Sequence, residues 1–436
     1  MRSGVKIFSV LFSSSSLFSF SQTWSDVGGG VTFTSMPSLS SIYAMATDTI
    51  NNVLYVSGTF DSAGSVSGCG SIAKWNGVSW DTLLDNSNSP GAASLEIFNS
   101  ELYAGRAHVE KWNGMNWTPI GTGVSWNGVQ YDLCVYNGEM YTAGDFTIAD
   151  GNPAKHIAKW NGTSWVAVGS GVNNWIWSLC VYNGELYAGG VFDSAGTVPI
   201  NYIAKWNGTN WSSVGGGINS AVNTLCVYNG ELYAGGGFPY LSKWNGTTWT
   251  VITGINSTVD YLQVFNNKLV FIGEFSTPGQ SIAQCNASNA SPLTNGAITV
   301  GNSLTPASDM AVFNGSLYVG GFNLMSAGIF PNAISCNNIA SYSLPNSINE
   351  NINSSTEINI HPNPFSTTTT IEIENANEKI KNAQFILHDI LGRVAMKSEI
   401  TNSKIEIKRD NLPNGIYFLR VKINDATYSE KIIITN

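Results

Sequence analysis

A twelve-residue string, Leu-Cys-Val-Tyr-Asn-Gly-Glu-Leu-Tyr-Ala-Gly-Gly, occupies residues 179–190 and returns unchanged at 225–236. A repeat of this length constrains the fold more than any single residue, because one unit cannot bury its apolar face alone and must stack on a neighbour. Related strings begin at Leu133, Leu95, Leu262, Met310 and, more distantly, Met45, which makes seven copies. A second unit, Lys-Trp-Asn-Gly-x-x-Trp, begins at Lys74, Lys111, Lys159, Lys205 and Lys243. A worn sixth copy starts at Gln284, and a fragment of a seventh ends at Tyr342. Its tryptophans Trp75, Trp112, Trp160, Trp206 and Trp244 are spaced by 37, 48, 46 and 38 residues.

Each period resolves into four short strands. Residues 179–182 alternate and meet Asn183-Gly184, a strong hairpin signal. Residues 185–192 return, Ile203 to Trp206 form the third strand, and the fourth carries Trp211 and Val214 before Gly215 to Gly217. Four strands in about 40–50 residues describe one blade of a β-propeller. The ends of the array fix the count. Trp24-Ser-Asp-Val-Gly-Gly-Gly matches a fourth strand with no blade before it, and the last repeat lacks a fourth strand. Lending the first strand to the last blade closes the ring and leaves no open edge. The expected fold is all-β: a seven-bladed β-propeller over 22–343, then a small antiparallel β-sandwich.

Composition agrees: 45 glycines, only 11% charged residues, and no long run of apolar residues at helical spacing. The net charge of −9 falls entirely before Thr356, since the remainder holds ten acidic and ten basic residues. An acidic propeller repels phosphate backbones, which excludes nucleic acid as a partner. Arg2 and Lys6, the apolar stretch Ile7 to Phe20 and the small residues Ser19 and Ser21 read as a signal peptide over 1–21, cleaved before Gln22. Nothing later is long and apolar enough to span a bilayer. Export permits disulfides, yet Cys134, Cys180 and Cys226 hold equivalent repeat positions and read as small buried apolar residues. Cys69 with Cys336 is the pairing left open.

The strings Phe-Asp-Ser-Ala-Gly, Ile-Ala-Lys-Trp-Asn-Gly and Leu-Tyr-Ala-Gly-Gly-Val-Phe resemble the kelch and galactose-oxidase-like propeller repeats of secreted bacterial proteins. An oxidase of that kind would imply copper held by two His and two Tyr. The propeller contains only His108 and His156, in different blades, too thin a supply for such a site. After a polar linker at 344–356, Ile-His-Pro-Asn-Pro-Phe365, His-Asp-Ile-Leu-Gly-Arg-Val, Asn-Leu-Pro-Asn-Gly-Ile-Tyr-Phe and the final Lys-Ile-Ile-Ile-Thr-Asn resemble the type A sorting domain of type IX secretion cargo in Bacteroidetes. That resemblance covers 357–436 and implies recognition by the outer-membrane translocon as partner, and release or display at the cell surface.

Glu139, Glu185 and Glu231 recur with the repeat, as do eleven of the fourteen tryptophans, and residues that recur in every blade serve the scaffold. The exceptions mark the site. Trp126, Trp175 and Trp177 fall in connections between blades, and the long loops 61–71, 147–156 and 193–201 emerge on the same face. Variable loops on a rigid scaffold carry binding. Trp126, Trp175, Trp177, Asp145, Asp150 and Asp193 are therefore the candidate ligand-binding residues, with an extracellular polysaccharide or a surface protein as partner. The function expected is a secreted or surface binding and adhesion protein; the alternative is a secreted carbohydrate-active hydrolase or lyase. No cofactor is expected, although the loop aspartates leave Ca²⁺ open without any EF-hand spacing. Asp-Ser-Ala, Asp-Thr-Ile and Asp-Thr-Leu resemble the O-glycosylation sequence of exported Bacteroidetes proteins, which implies Thr49, Ser62, Thr82 and Ser194 as acceptors. The Asn-Gly-Thr sequons read as turn chemistry.

Overall fold

The computed structural model describes residues 23–83, 91–106, 108–124, 129–237, 239–286, 288–293, 298–300, 308–322, 324–327, 334–343, 358–373, 383–389, 394–400, 402, 404–410, 412–423 and 426–435. The expected signal peptide and the 344–356 linker lie outside them. The chain divides into two units, Met1–Pro345 and Asn346–Asn436.

Among the described residues the first unit contains seven four-stranded antiparallel sheets. Blade 1 runs Ser41–Asp48, Val53–Thr59, Ile72–Trp75 and Trp80–Thr82, and blade 4 runs Ile176–Tyr182, Glu185–Gly190, Ile203–Trp206 and Trp211–Ser213. Blades 2, 3, 5 and 6 repeat this order, with first strands Ser94–Phe98, Val129–Tyr136, Val222–Tyr228 and Val259–Phe265. Blade 7 takes Asp309–Phe313, Ser316–Gly320 and Ile339–Ser343 from the end of the array and Thr23–Asp26 from its beginning. In that closing pair Trp24 faces Tyr342 in register, with ring centroids 5.0 Å apart. The first strands touch one another in sequence around the ring, and that of blade 7 returns to that of blade 1. They form the inner wall of a central channel.

The repeat residues explain why the blades form and adhere. Asn137-Gly138, Asn183-Gly184 and Asn229-Gly230 all have positive φ at both positions, the backbone of a type I′ hairpin turn. In the second turn, Asn161, Asn207 and Asn245 accept the backbone N–H groups two and three residues on, so these sequons are Asx turns. The paired tryptophans of blades 1 to 5 pack as tilted rings within their blade, with centroids from 5.2 Å (Trp75 and Trp80) to 5.5 Å (Trp160 and Trp165). The second Trp also fastens its blade to the one before: Trp165, Trp211 and Trp249 donate Nε1–H to the carbonyls of Ile120, Val168 and Val214. At the other end, the hydroxyls of Tyr136 and Tyr182 donate to the Gly184 and Gly230 carbonyls of the following blade. Each such bond contributes about 1 kcal/mol. The repeated Lys and Glu form cross-strand ion pairs, Lys159–Glu139 at 2.8 Å, Lys205–Glu185 at 2.7 Å and Lys243–Glu231 at 2.9 Å.

Two expectations about cysteine need correction. Cys69 and Cys336 are free, and each is buried in a different core cluster, so no bridge joins them. Cys134, Cys180 and Cys226 are half-buried rather than buried, because the inner strands border the channel. Burial pushes the thiols of Cys180 and Cys226 up to about 12, so they carry no thiolate at neutral pH.

The second unit is a pair of antiparallel sheets. One holds Ile358–His361, Thr368–Ile373 and Lys404–Lys408; the other holds Ala383–Asp389, Val394–Ile400, Gly415–Ile423 and Ala426–Ile434. Phe365, buried at the core, exchanges backbone hydrogen bonds with Ile433 and Thr435, and Asn363 Oδ1 accepts the Ile433 N–H. The Pro-Asn-Pro-Phe segment thus clips the final strand.

Candidate functional site: the channel mouth

Five inner strands carry a β-bulge near their start. The residue without a partner is Tyr43, Tyr131, Trp177, Asn223 and Asp260 in blades 1, 3, 4, 5 and 6. Blades 2 and 7 pair without a shift. The cause is visible in the repeat. A Cβ added at Gly58, Gly190, Gly236 or Gly273 would overlap the carbonyl oxygen of Ser41, Trp175, Ala221 or Thr258. Glycine at the end of the second strand lets the bulged strand approach that closely.

Side chains at the bulges reach their neighbours around the ring. Asn223 Nδ2 donates to Asp260 Oδ1 at 2.9 Å across blades 5 and 6. Tyr131 packs against Trp175 across blades 3 and 4, with centroids 6.4 Å apart and planes inclined by 51°. Trp175 remains 39% exposed and Tyr43 40% exposed. Asp145, at the end of the strand opposite Val129, is half-buried, and burial together with the Asp145 charge raises the Tyr131 hydroxyl above its ordinary value. The mouth of the channel therefore has an aromatic side (Tyr43, Tyr131, Trp175, Trp177) and a side of amide and carboxylate (Asn223, Asp260). Burial pushes Asp260 up to about 6, offset in part by the Asn223 bond.

Of the residues singled out from sequence, Trp175, Trp177 and Asp145 lie at this mouth. Asp150 does not offer a free carboxylate: Oδ1 accepts the N–H groups of Thr122 and Gly123, and Oδ2 accepts that of Trp165 at 2.7 Å. Asp193 is engaged with Asn173, whose Nδ2 donates to it at 2.6 Å. Both aspartates pin loops, and among the described residues no three acidic, His or Cys side chains are grouped to hold a metal ion. Trp126 lies outside the described residues. Of the four hydroxyls considered for glycans, that of Ser62 is buried against Thr32 and that of Thr82 is enclosed, whereas Thr49 is exposed and Ser194 half-buried.

Tyr43, Tyr131, Asn223 and Asp260 escaped the sequence reading. Their signal was the one variable position two residues before the Leu that opens each repeat string. The two propeller histidines share one slot, the residue before the third strand, where the His108 and His156 carbonyls accept N–H groups from Arg106 and Gly144. Ser71, Tyr202, Tyr240 and Ser281 fill it elsewhere, so the slot is structural.

Below the mouth, side chains of three inner strands clasp the next blade. Asp132 accepts the Leu179 N–H at 2.6 Å, Ser178 Oγ accepts that of Leu225 at 3.1 Å, and Asp309 accepts that of Met45. Asp132 and Glu96 line a cavity of about 470 Å³ with Thr47, Asp48 and Tyr261. Burial pushes Asp132 up to about 8, and Asp309 and Glu96 up to about 7.

The fold and the tail together define the class: a β-propeller exported by type IX secretion. Residues 359–435 match the secretion system C-terminal sorting domain, which sends the chain across the outer membrane to the surface or the extracellular space. No curated protein matches the sequence. The extracellular domain of a protein described as a hybrid two-component system of B. thetaiotaomicron is similar, with a TM-score of 0.52 at 10% identity over 95% of this chain. This chain spans 59% of that relative's length, and at such identity the likeness concerns the fold alone. The WD40 β-propeller domain of Doa1 gives 0.48 at 12% identity, over 70% of this chain and 92% of its own. BamB of Moraxella catarrhalis gives 0.37 at 9% identity, over 70% and 83%.

Proposed function

We propose that the mature protein is a non-catalytic binding propeller, with kelch-like repeats, whose channel mouth holds an extracellular glycan. The observation that carries this reading is the bulge ring. It is where the inner strands leave the repeat, and where aromatic faces stand exposed beside an unengaged carboxylate. Aromatic faces stack on the apolar faces of sugar rings, while carboxylates and amides accept and donate to the hydroxyls at their edges. On this reading residues 1–21 are removed on export and the 357–436 tail serves sorting rather than ligand binding.

The test is a glycan array probed with the exported, processed protein and its Trp175→Ala variant. Loss of one stacking face is expected to weaken binding about tenfold. Unchanged binding by the variant would sink the proposal. A hydrolase is the second reading, favoured by Glu96 and Asp132 in one cavity with raised pKa values. The clasp from Asp132 to Leu179 gives that carboxylate a structural task instead, and release of reducing sugar from array-positive glycans would decide for the enzyme.

A further inference from the structure

We infer that the channel mouth selects uncharged glycans and rejects those bearing uronic acid or sulfate, with Asp145 as the specificity-determining residue. The inference rests on the glycan reading above and adds the class of sugar. Asp145 has no hydrogen-bond or ion-pair partner among the described residues, and its charge acts on Tyr131 and His156 on either side of it. Its two oxygens are free to accept from vicinal hydroxyls of a sugar stacked on the Tyr131–Trp175 pair.

No ion pair among the described residues compensates this charge. Across the ring, Asp260 is bonded by the neutral amide of Asn223, with Glu274 close enough to raise it further. No Lys or Arg occupies any of the five bulge positions. Of the cations on neighbouring loops, Arg106 is buried and committed to Glu110 at 3.2 Å beneath the Trp117 ring. Lys155 is exposed and its charge also acts on His156, but it makes no ion pair with Asp145 among the described residues. An anionic sugar placed on the aromatic pair therefore meets the rim carboxylates Asp145 and Asp260. For a ligand carboxylate about 7 Å from Asp145, repulsion weakens binding by roughly threefold at the dielectric of water, about 80, and by roughly fiftyfold at the effective value of about 20 near a protein surface.

The experiment probes an array of neutral oligosaccharides and their glucuronate and sulfated counterparts with the full processed protein and with Asp145→Asn. The variant keeps the side-chain shape, and a thermal melt verifies its fold. The expected result is a preference of the native protein for neutral members of at least about threefold, shrinking in Asp145→Asn and at high salt. Equal or stronger binding of the anionic members, or an unchanged ratio in the variant, overturns the selectivity while leaving glycan binding intact. Absence of binding to every member overturns the glycan reading and this inference with it.

Discussion

Replacing Trp24 by Ala tests how the ring is closed. Trp24 is 6% exposed and packs against Tyr342 inside a cluster that includes Phe265, Met310 and Leu324. Truncating a buried Trp costs about 3–5 kcal/mol, including the lost aromatic contact. Unfolding entropy of about 2.1 cal/mol/K per residue, over a propeller of roughly 320 residues, gives about 0.7 kcal/mol/K. A loss of about 4 kcal/mol then lowers Tm by about 6 °C. Any Trp of the blades would give a similar figure, so the informative comparison is with Trp206→Ala, in a blade whose four strands are contiguous in the chain. Both variants should melt early. Only Trp24→Ala should expose residues 23–26 to hydrogen exchange and N-terminal proteolysis well below Tm, because those four residues join their blade through pairing with Ile339–Ser343 and through this side chain. Equal exchange of residues 23–26 in the two variants, or a Tm within about 1 °C of the native value for Trp24→Ala, would refute the reasoning.

Two further outcomes follow from the clasps and the tail. Asp132, Asp309 and Glu96 have folded pKa values raised by burial to about 8, 7 and 7, above those of the unfolded chain, so the folded state binds more protons between about pH 4 and pH 8. Stability from these groups therefore falls as pH rises through that window. Asp132→Asn, whose amide oxygen still accepts the Leu179 N–H, is expected to match the native protein near pH 3 and to exceed it increasingly as pH rises, by on the order of 5 kcal/mol at pH 8; a Tm–pH series in which the variant is weaker at pH 8 would contradict this. In the tail, Phe365→Ala removes a buried ring at the clip on the final strand and should cost about 3–4 kcal/mol, enough to unfold a domain of this size. The measurement is the fraction of protein retained in the periplasm, and native-like export would count against the clip.

The blades were legible in sequence because each rests on contacts within one repeat or between equivalent positions of neighbours. The Asn-Gly turns, the tryptophan pairs and the lent strand at Trp24 all appear as recurring strings. The site was legible only in part. Trp175 and Trp177 announced themselves by interrupting the pattern, whereas Tyr131 and Asp260 did not. A bulge inserts one residue into a strand, and a period-two pattern does not reveal where a strand begins. The loop aspartates misled for a different reason. Asp150 sits in an open-looking polar loop, yet its partners Thr122 and Trp165 lie 28 and 15 residues away, and such pairings leave no local trace. Glu96 stands where blades 3, 4 and 5 have Cys134, Cys180 and Cys226, a departure visible in the alignment of repeats only once the channel wall is known to pass through that position.

The bulged residue is outside the ladder of its own strand. It gives no side chain to the cross-strand register, and the glycine opposite already provides the room it needs. Substitution at Tyr43, Tyr131, Trp177, Asn223 or Asp260 can therefore change what the mouth touches without breaking the strand ladder of the blade that carries it. Such a ring of replaceable positions separates ligand choice from strand pairing. A lineage built on this scaffold could change its target by exchanging five side chains while the repeat that builds the propeller stays as it is.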